Sequence, residues 1–183
     1  MLFNSIYGPI KQQIADQFKQ TKLFICDIDG VFSDGRIYLG NQGEELKAFH
    51  TRDGFGIKAI INAGIQVAVI TGRKSLIVEK RMSSLGIQHI YQGQEDKLQA
   101  YAELKNNLSI TDREVAYIGD DVPDLTVMQQ VGLAIAVNDA HPIIQQISHY
   151  QTRVRGGFGA VRECCDIFLH TRGVLEQAQG MSV

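Results

Sequence analysis

Two aspartates, Asp27 and Asp29, follow directly on the apolar run Leu23-Phe24-Ile25-Cys26, and Gly30 comes next. An apolar run of that length reads as a strand buried in a parallel sheet. Unpaired charge in such a place is very costly, so a buried strand that ends in two carboxylates implies a cation there. Ligands of open α/β sheets bind just beyond the carboxyl ends of the strands. The pair therefore marks a metal or phosphate site. Alone it is weak, because Asp and Gly are also ordinary turn residues.

Three further segments strengthen it. Thr71-Gly72-Arg73 closes the run Gln66 to Ile70, Lys97 opens a helical pattern, and Gly119-Asp120-Asp121-Val122-Pro123-Asp124 ends another strand in three more carboxylates. In this order the four motifs resemble the haloacid-dehalogenase-like phosphohydrolase superfamily. Asp27 is then the candidate nucleophile, since a carboxylate attacking phosphorus splits a hard hydrolysis into two easier steps. Asp29 would protonate the leaving alcohol and later take a proton from water. Asp120 is the best further metal ligand beside Asp27 and Asp29, and carboxylates with waters and a phosphate oxygen suit Mg²⁺. Asp121 and Asp124 read either as anchors behind that set or as helix caps, and a cap explains Asp121 well. Thr71 offers a hydroxyl and Gly72 a backbone N–H for phosphoryl oxygens. Lys97 would balance charge on the transferring group, its place between motifs lifting it above an ordinary surface lysine.

The elements that must position these groups alternate. Strands are expected at 66–70, 88–91, 115–119 and 133–137, with helices at 74–85, 95–107, 122–131 and 140–148. That alternation, after the first strand, argues for a doubly wound parallel α/β sheet with helices on both faces. A helix is expected over 5–20 from Ile6, Ile10, Ile14 and Phe18, another over 53–64, and a last one from Ala160 to about Leu169. Arg36 to Leu39 and Glu44 to His50 flank a Gly/Asn-rich turn and read as a β-hairpin flap, about 36–50, projecting from the site. Arg155 to Gly159 is a glycine loop, and a tail runs over 170–183.

With 183 residues, a single domain is expected. A net charge of -2 gives no basis for binding nucleic acid or an anionic membrane by bulk electrostatics. An anionic substrate must therefore be held locally. No apolar stretch nears the roughly 18 residues of a membrane span, and no export signal is visible. Cys26, Cys164 and Cys165 have no ligand spacing and read as free buried thiols of a reducing cytoplasm.

The resemblance sharpens over residues 26–35, Phe49-His50-Thr51-Arg52-Asp53-Gly54, Ile70-Thr71-Gly72-Arg73 and Gly156-Gly157-Phe158-Gly159-Ala160-Val161-Arg162-Glu163. These are similar to the 3-deoxy-D-manno-octulosonate 8-phosphate phosphatase family, in its capless, Rossmann-like form, from about residue 22 to the tail. The resemblance implies Mg²⁺-dependent hydrolysis of that sugar-acid phosphate through an aspartyl-phosphate, one step in making a lipopolysaccharide precursor. It implies a cytoplasmic homotetramer with active sites at subunit interfaces, closed by the flap or by the glycine loop and tail. It also implies Asp29, His50, Thr51, Arg52, Asp53, Gly54, Lys58, Thr71, Gly72, Arg73, Arg81 and Lys97 as substrate contacts. Phosphatases of nine-carbon sugar-acid phosphates share these motifs. A receiver-type domain, which also holds phospho-aspartate with Mg²⁺ and Lys, would need adjacent acids after the first strand and an aspartate near Ile90-Tyr91-Gln92-Gly93; neither is present.

Overall fold

The apolar runs form the middle of a six-stranded parallel sheet in this computed structural model, which describes residues 1–178. Its strands are β3 (Leu23–Cys26), β6 (Gln66–Thr71), β7 (His89–Gln92), β8 (Val115–Gly119), β9 (Leu133–Ala136) and β10 (Tyr150–Gln151), ordered β10-β9-β8-β3-β6-β7. Parallel strands need crossovers, and helices α2 (Thr51–Asn62), α3 (Leu76–Ser84), α4 (Lys97–Leu108), α5 (Leu125–Met128), α6 (Pro142–Ile147) and α7 (Ala160–Thr171) fall between or after them. β3 lies between β6 and β8, with Cys26 opposite Val69 and Ile118. All four of its residues are buried, as their unbroken apolar character requires. The carboxyl ends of the three central strands carry Asp27, Thr71 and Asp120, so the topology alone brings three of the four motifs together.

The N-terminus departs from its expected helix. Residues 5–11 belong to an antiparallel hairpin, β1 (Leu2–Ser5) with β2 (Gly8–Lys11), and helix α1 runs only over Gln12–Gln20. Gly8 has φ +107, which no helix interior accommodates, and Pro9 has no N–H to donate. The helix expected over 122–131 shrinks to a 3₁₀ turn, Val122–Asp124, followed by α5. β10, at the sheet edge, had no distinct sequence signal. The flap forms, but as two short strands, β4 (Tyr38–Leu39) and β5 (Glu45–Leu46), within the longer span expected. Among the described residues no large insertion covers the sheet's carboxyl end. A 3₁₀ turn over Leu175–Gln177 begins the tail, and residues 179–183 lie outside the described residues. All three cysteines are buried and free, and burial pushes their thiols well above the ordinary range. They are free and buried, as expected.

Candidate active site

A cleft of about 300 Å³ opens at the carboxyl end of the sheet, lined by Asp27, Asp29, Thr71, Gly72, Arg73, Lys97, Asp120, Asp121 and Asp124. Asp27 continues β3, its N–H bonded to the Ile118 carbonyl at 3.1 Å, so the sheet itself aims its side chain. Lys97, the first residue of α4, is 3% exposed and reaches Asp27 Oδ1 at 3.0 Å and Asp124 Oδ1 at 2.7 Å. Tyr117 on β8 donates to Asp124 Oδ1 at 2.6 Å. Asp124 Oδ2 in turn accepts the Asp120 and Asp121 backbone N–H groups at 3.0 and 3.3 Å. Asp124 is thus the anchor of the acidic loop, while Asp121 caps the 3₁₀ turn through the Val122 N–H at 2.8 Å. Sequence reasoning left those two roles open.

The charges do not balance without a cation. Oxygens of Asp27, Asp120 and Asp124 lie within 4.8 Å of one another. Burial and the charge of Asp124 push the Asp27 carboxyl up to about 7 despite Lys97. Burial with the charges of Asp27, Asp124 and Asp121 pushes Asp120 up to about 8. Asp27 Oδ1 is buried with no well-directed hydrogen bond, its contact to Lys97 being an ion pair only. Such an all-oxygen set fits a hard divalent cation such as Mg²⁺. Asp27 and Asp120 are the freer donors, because Asp124 is spent on Lys97, Tyr117 and two amides. Gly30, at φ +91, leaves the space in which Asp120 sits; a Cβ there would strike its carboxylate.

Asp29 lines the same cleft at its rim. Its carboxylate meets Lys47 and Arg73 and accepts from Ser33 Oγ at 3.3 Å, so its side chain is not among the three that converge. Lys47 is a residue the sequence reading missed. It projects inward from just after β5 with a fully buried side chain, and its alternation with exposed Leu46 in a hairpin expected to face the site was the available signal.

The remaining substrate-contact residues divide. Thr71, Gly72 and Arg73 line the cleft. His50 caps α2, its Nδ1 accepting the Arg52 N–H at 3.2 Å, and Thr51 and Arg52 are exposed on the first turn. Gly54 is buried and Lys58 half-buried along α2; neither lines the cleft. Asp53 is buried against α7, where its Oδ1 accepts the Arg162 N–H at 2.7 Å. Burial pushes Asp53 up to about 7, opposed by that N–H and by the guanidiniums of Arg162, Arg52 and Arg81. Asp53 thus feels the charges of Arg52 and Arg81, and neither arginine lines the cleft.

The glycine loop packs against the segment that follows Asp27 in its own chain. Gly157 N–H donates to the Val31 carbonyl at 2.8 Å, and Gly156 N–H to Asp139 Oδ1 at 3.0 Å. A Cβ on Gly156 would overlap the Gly30 carbonyl. Gly156→Ala is therefore expected to displace residues 30–34 and cut kcat about 10²-fold, the cost typical of an ångström-scale misplacement. Steady-state kinetics on the folded variant checks this; an unimpaired kcat would mean that the loop merely adjoins the site.

A family model for haloacid dehalogenase-like hydrolases matches residues 83–156. The 3-deoxy-D-manno-octulosonate 8-phosphate phosphatase KdsC of Yersinia pestis is 53% identical over 180 residues, covering 98% of this chain and 96% of that protein. The crystal structure of the phosphatase from Yersinia pestis matches with a TM-score of 0.97 at 52% identity, over 100% of this chain and 99% of that one. The phosphatase from Moraxella catarrhalis, solved with a magnesium ion, a phosphate ion and a KDO molecule, matches with a TM-score of 0.90 at 42% identity, over 92% and 97%.

Proposed function

This chain belongs to the 3-deoxy-D-manno-octulosonate 8-phosphate phosphatase family of haloacid dehalogenase-like hydrolases, and we propose from that membership how its own residues do the work. It is a Mg²⁺-dependent phosphoric monoester hydrolase that releases phosphate from 3-deoxy-D-manno-octulosonate 8-phosphate, a precursor step for lipopolysaccharide. The observation that carries the chemistry is Asp27 at the end of the central strand, 3.0 Å from buried Lys97 and beside Asp120 and Asp124.

Asp27 attacks phosphorus, and an aspartyl-phosphate forms as the sugar alkoxide leaves. Asp29, tethered at the rim by Lys47, Arg73 and Ser33, is the second carboxyl group: its acid form gives a proton to the leaving oxygen, and the resulting carboxylate takes one from the water that attacks the aspartyl-phosphate, releasing phosphate and freeing Asp27. Lys97 and the Thr71 hydroxyl steady the phosphoryl oxygens. Asp27 and Asp120, with Asp124 behind them, would hold Mg²⁺, which would supply charge neutralisation between nucleophile and substrate dianion. Arg73, half-exposed in the cleft, suits the carboxylate of a sugar acid through its planar fork. Arg52 and Arg81 are proposed as outer contacts to the sugar.

Assembly as a homotetramer is supported by the apolar flap: Tyr38, Leu39 and Leu46 are 48%, 73% and 64% exposed, more apolar surface than a two-stranded hairpin needs to show to water. Three unpaired thiols suit a reducing compartment, so the cytoplasm is the proposed location.

The test is phosphate release from a panel of sugar and sugar-acid phosphates, eight- and nine-carbon, with and without Mg²⁺. The eight-carbon acid should be preferred, and only with Mg²⁺; preference for a nine-carbon acid overturns the substrate. Arg73→Ala should lose roughly 10- to 100-fold in kcat/KM on the sugar-acid phosphate, from a charge-assisted hydrogen bond of about 1.5–3 kcal/mol. On p-nitrophenyl phosphate it should lose little. Equal losses assign Arg73 to the phosphate or the fold.

A further inference from the structure

Four charges form a closed ring at the rim of the cleft. Lys47 pairs with Asp29, and its Nζ lies 3.3 Å from Glu45 Oε1. Glu45 Oε2 lies 3.5 Å from Arg73 Nη2, and Arg73 Nε lies 3.8 Å from Asp29 Oδ2. Two of these members come from the flap and two from the catalytic motifs. Glu45 and Lys47 flank Leu46, so strand alternation turns both inward together.

The four are not held equally. The Lys47 side chain is wholly buried and tight against Asp29, whereas both Glu45 contacts are long ion pairs and its Oε1, though buried, accepts no hydrogen bond. A buried carboxylate oxygen without a donor is an expensive state, and a flap of two two-residue strands is a weak restraint on it. Glu45 is therefore the member of the ring that most easily departs. The group it would uncover is Arg73, the one cation of the ring that lines the cleft.

We propose that Glu45 is a specificity-determining residue: an internal carboxylate that occupies Arg73 in the free enzyme, yields it to the carboxylate of the sugar acid, and returns to help expel the dephosphorylated product. The inference rests on the functional reading above, and in particular on Arg73 receiving the substrate carboxylate. It accounts for a negative side chain placed where an anionic substrate must enter. With Glu45 in place Arg73 is neutralised, so stray anions find no free guanidinium. A sugar acid arriving with its phosphate anchored at Asp27 and Lys97 competes from a high effective concentration. The product has lost that anchor, and Glu45 then wins the exchange.

The experiment is inhibition of p-nitrophenyl phosphate hydrolysis by free 3-deoxy-D-manno-octulosonate and by inorganic phosphate, with Mg²⁺ present. Wild type, Glu45→Gln and Glu44→Gln are compared. Glu44 lies on the same turn, accepting the Gln42 N–H, and does not reach the ring. Glu45→Gln should bind the sugar acid roughly threefold to fivefold more tightly, as expected when a partly exposed ion-pair competitor is removed. Phosphate inhibition should move less than about twofold, and Glu44→Gln should match wild type. Unchanged or weaker sugar-acid inhibition in Glu45→Gln, with the melting temperature retained, overturns the proposal. Equal tightening toward phosphate also overturns it, since that is a general charge effect. A wild-type enzyme that neither hydrolyses the eight-carbon acid phosphate nor binds the free acid overturns the functional reading, and this inference with it.

Discussion

Asp27→Ala and Asp27→Asn are expected to abolish Mg²⁺-dependent turnover. Phosphate monoesters hydrolyse so slowly unaided that enzymes supply enhancements of up to ~10²¹, and these substitutions remove the group proposed to attack. Asp27 is placed by the sheet, through the Ile118 carbonyl, and poised by Lys97 at 3.0 Å. No neighbour can take over: Asp124 is tied to Lys97 and Tyr117, and Asp29 is held by Lys47 and Arg73. Phosphate release by purified, folded variant is the measurement. More than a trace of wild-type turnover in Asp27→Ala would remove the nucleophile assignment. Asp29→Asn should differ in kind, still binding Mg²⁺ and substrate while losing about 10²- to 10⁴-fold in kcat, the usual worth of proton transfer. Wild-type behaviour there would put the acid elsewhere.

The central fold was legible because its signals are strong and local. Unbroken apolar runs ending in Asp or Thr can hardly be other than buried parallel strands with their functional ends at one edge. The N-terminal hairpin was not, because Ile10, Ile14 and Phe18 keep helical spacing across the break; only Gly8-Pro9, which opens the second strand, marks that the helix has yet to begin. Residues at the strand ends were found for the same reason as the strands. Lys47 and Glu45 were missed because a short hairpin's register, hence which residues face inward, depends on where it docks. Asp53 was read as a substrate contact from its motif, yet its carboxylate receives the Arg162 N–H in the first turn of α7. A motif fixes neighbours along the chain, while burial decides which neighbour across space takes the charge.

Lys97→Met should cost both stability and turnover, and the two losses should separate. Burial alone would lower the Lys97 pKa, but the charges of Asp27 and Asp124 outweigh it and hold it above its ordinary value. Removing Lys97 strands those two carboxylates in the interior, and breaking a buried pair from one side typically costs about 3–5 kcal/mol. At about 2–4 °C per kcal/mol for a chain of this size, that is roughly 6–20 °C in melting temperature. The deficit should depend on pH. A carboxyl whose folded pKa is raised favours the fold below its unfolded pKa and loses that contribution as pH climbs through the folded value. For Asp27 that value is already about 7 with Lys97 present, and without the lysine it rises further. The variant should therefore approach wild-type stability near pH 5 and fall away from it between pH 6 and 8. A deficit that stays flat over this range would mean lost packing rather than lost charge. Turnover should drop about 10²- to 10³-fold, as when one preorganised donor to a developing anion is removed. Adding Asp124→Asn to Lys97→Met removes one of the stranded charges and should recover part of the melting temperature without recovering turnover. Recovery of both would mean that Lys97 serves the fold and that the phosphoryl group is steadied by something else.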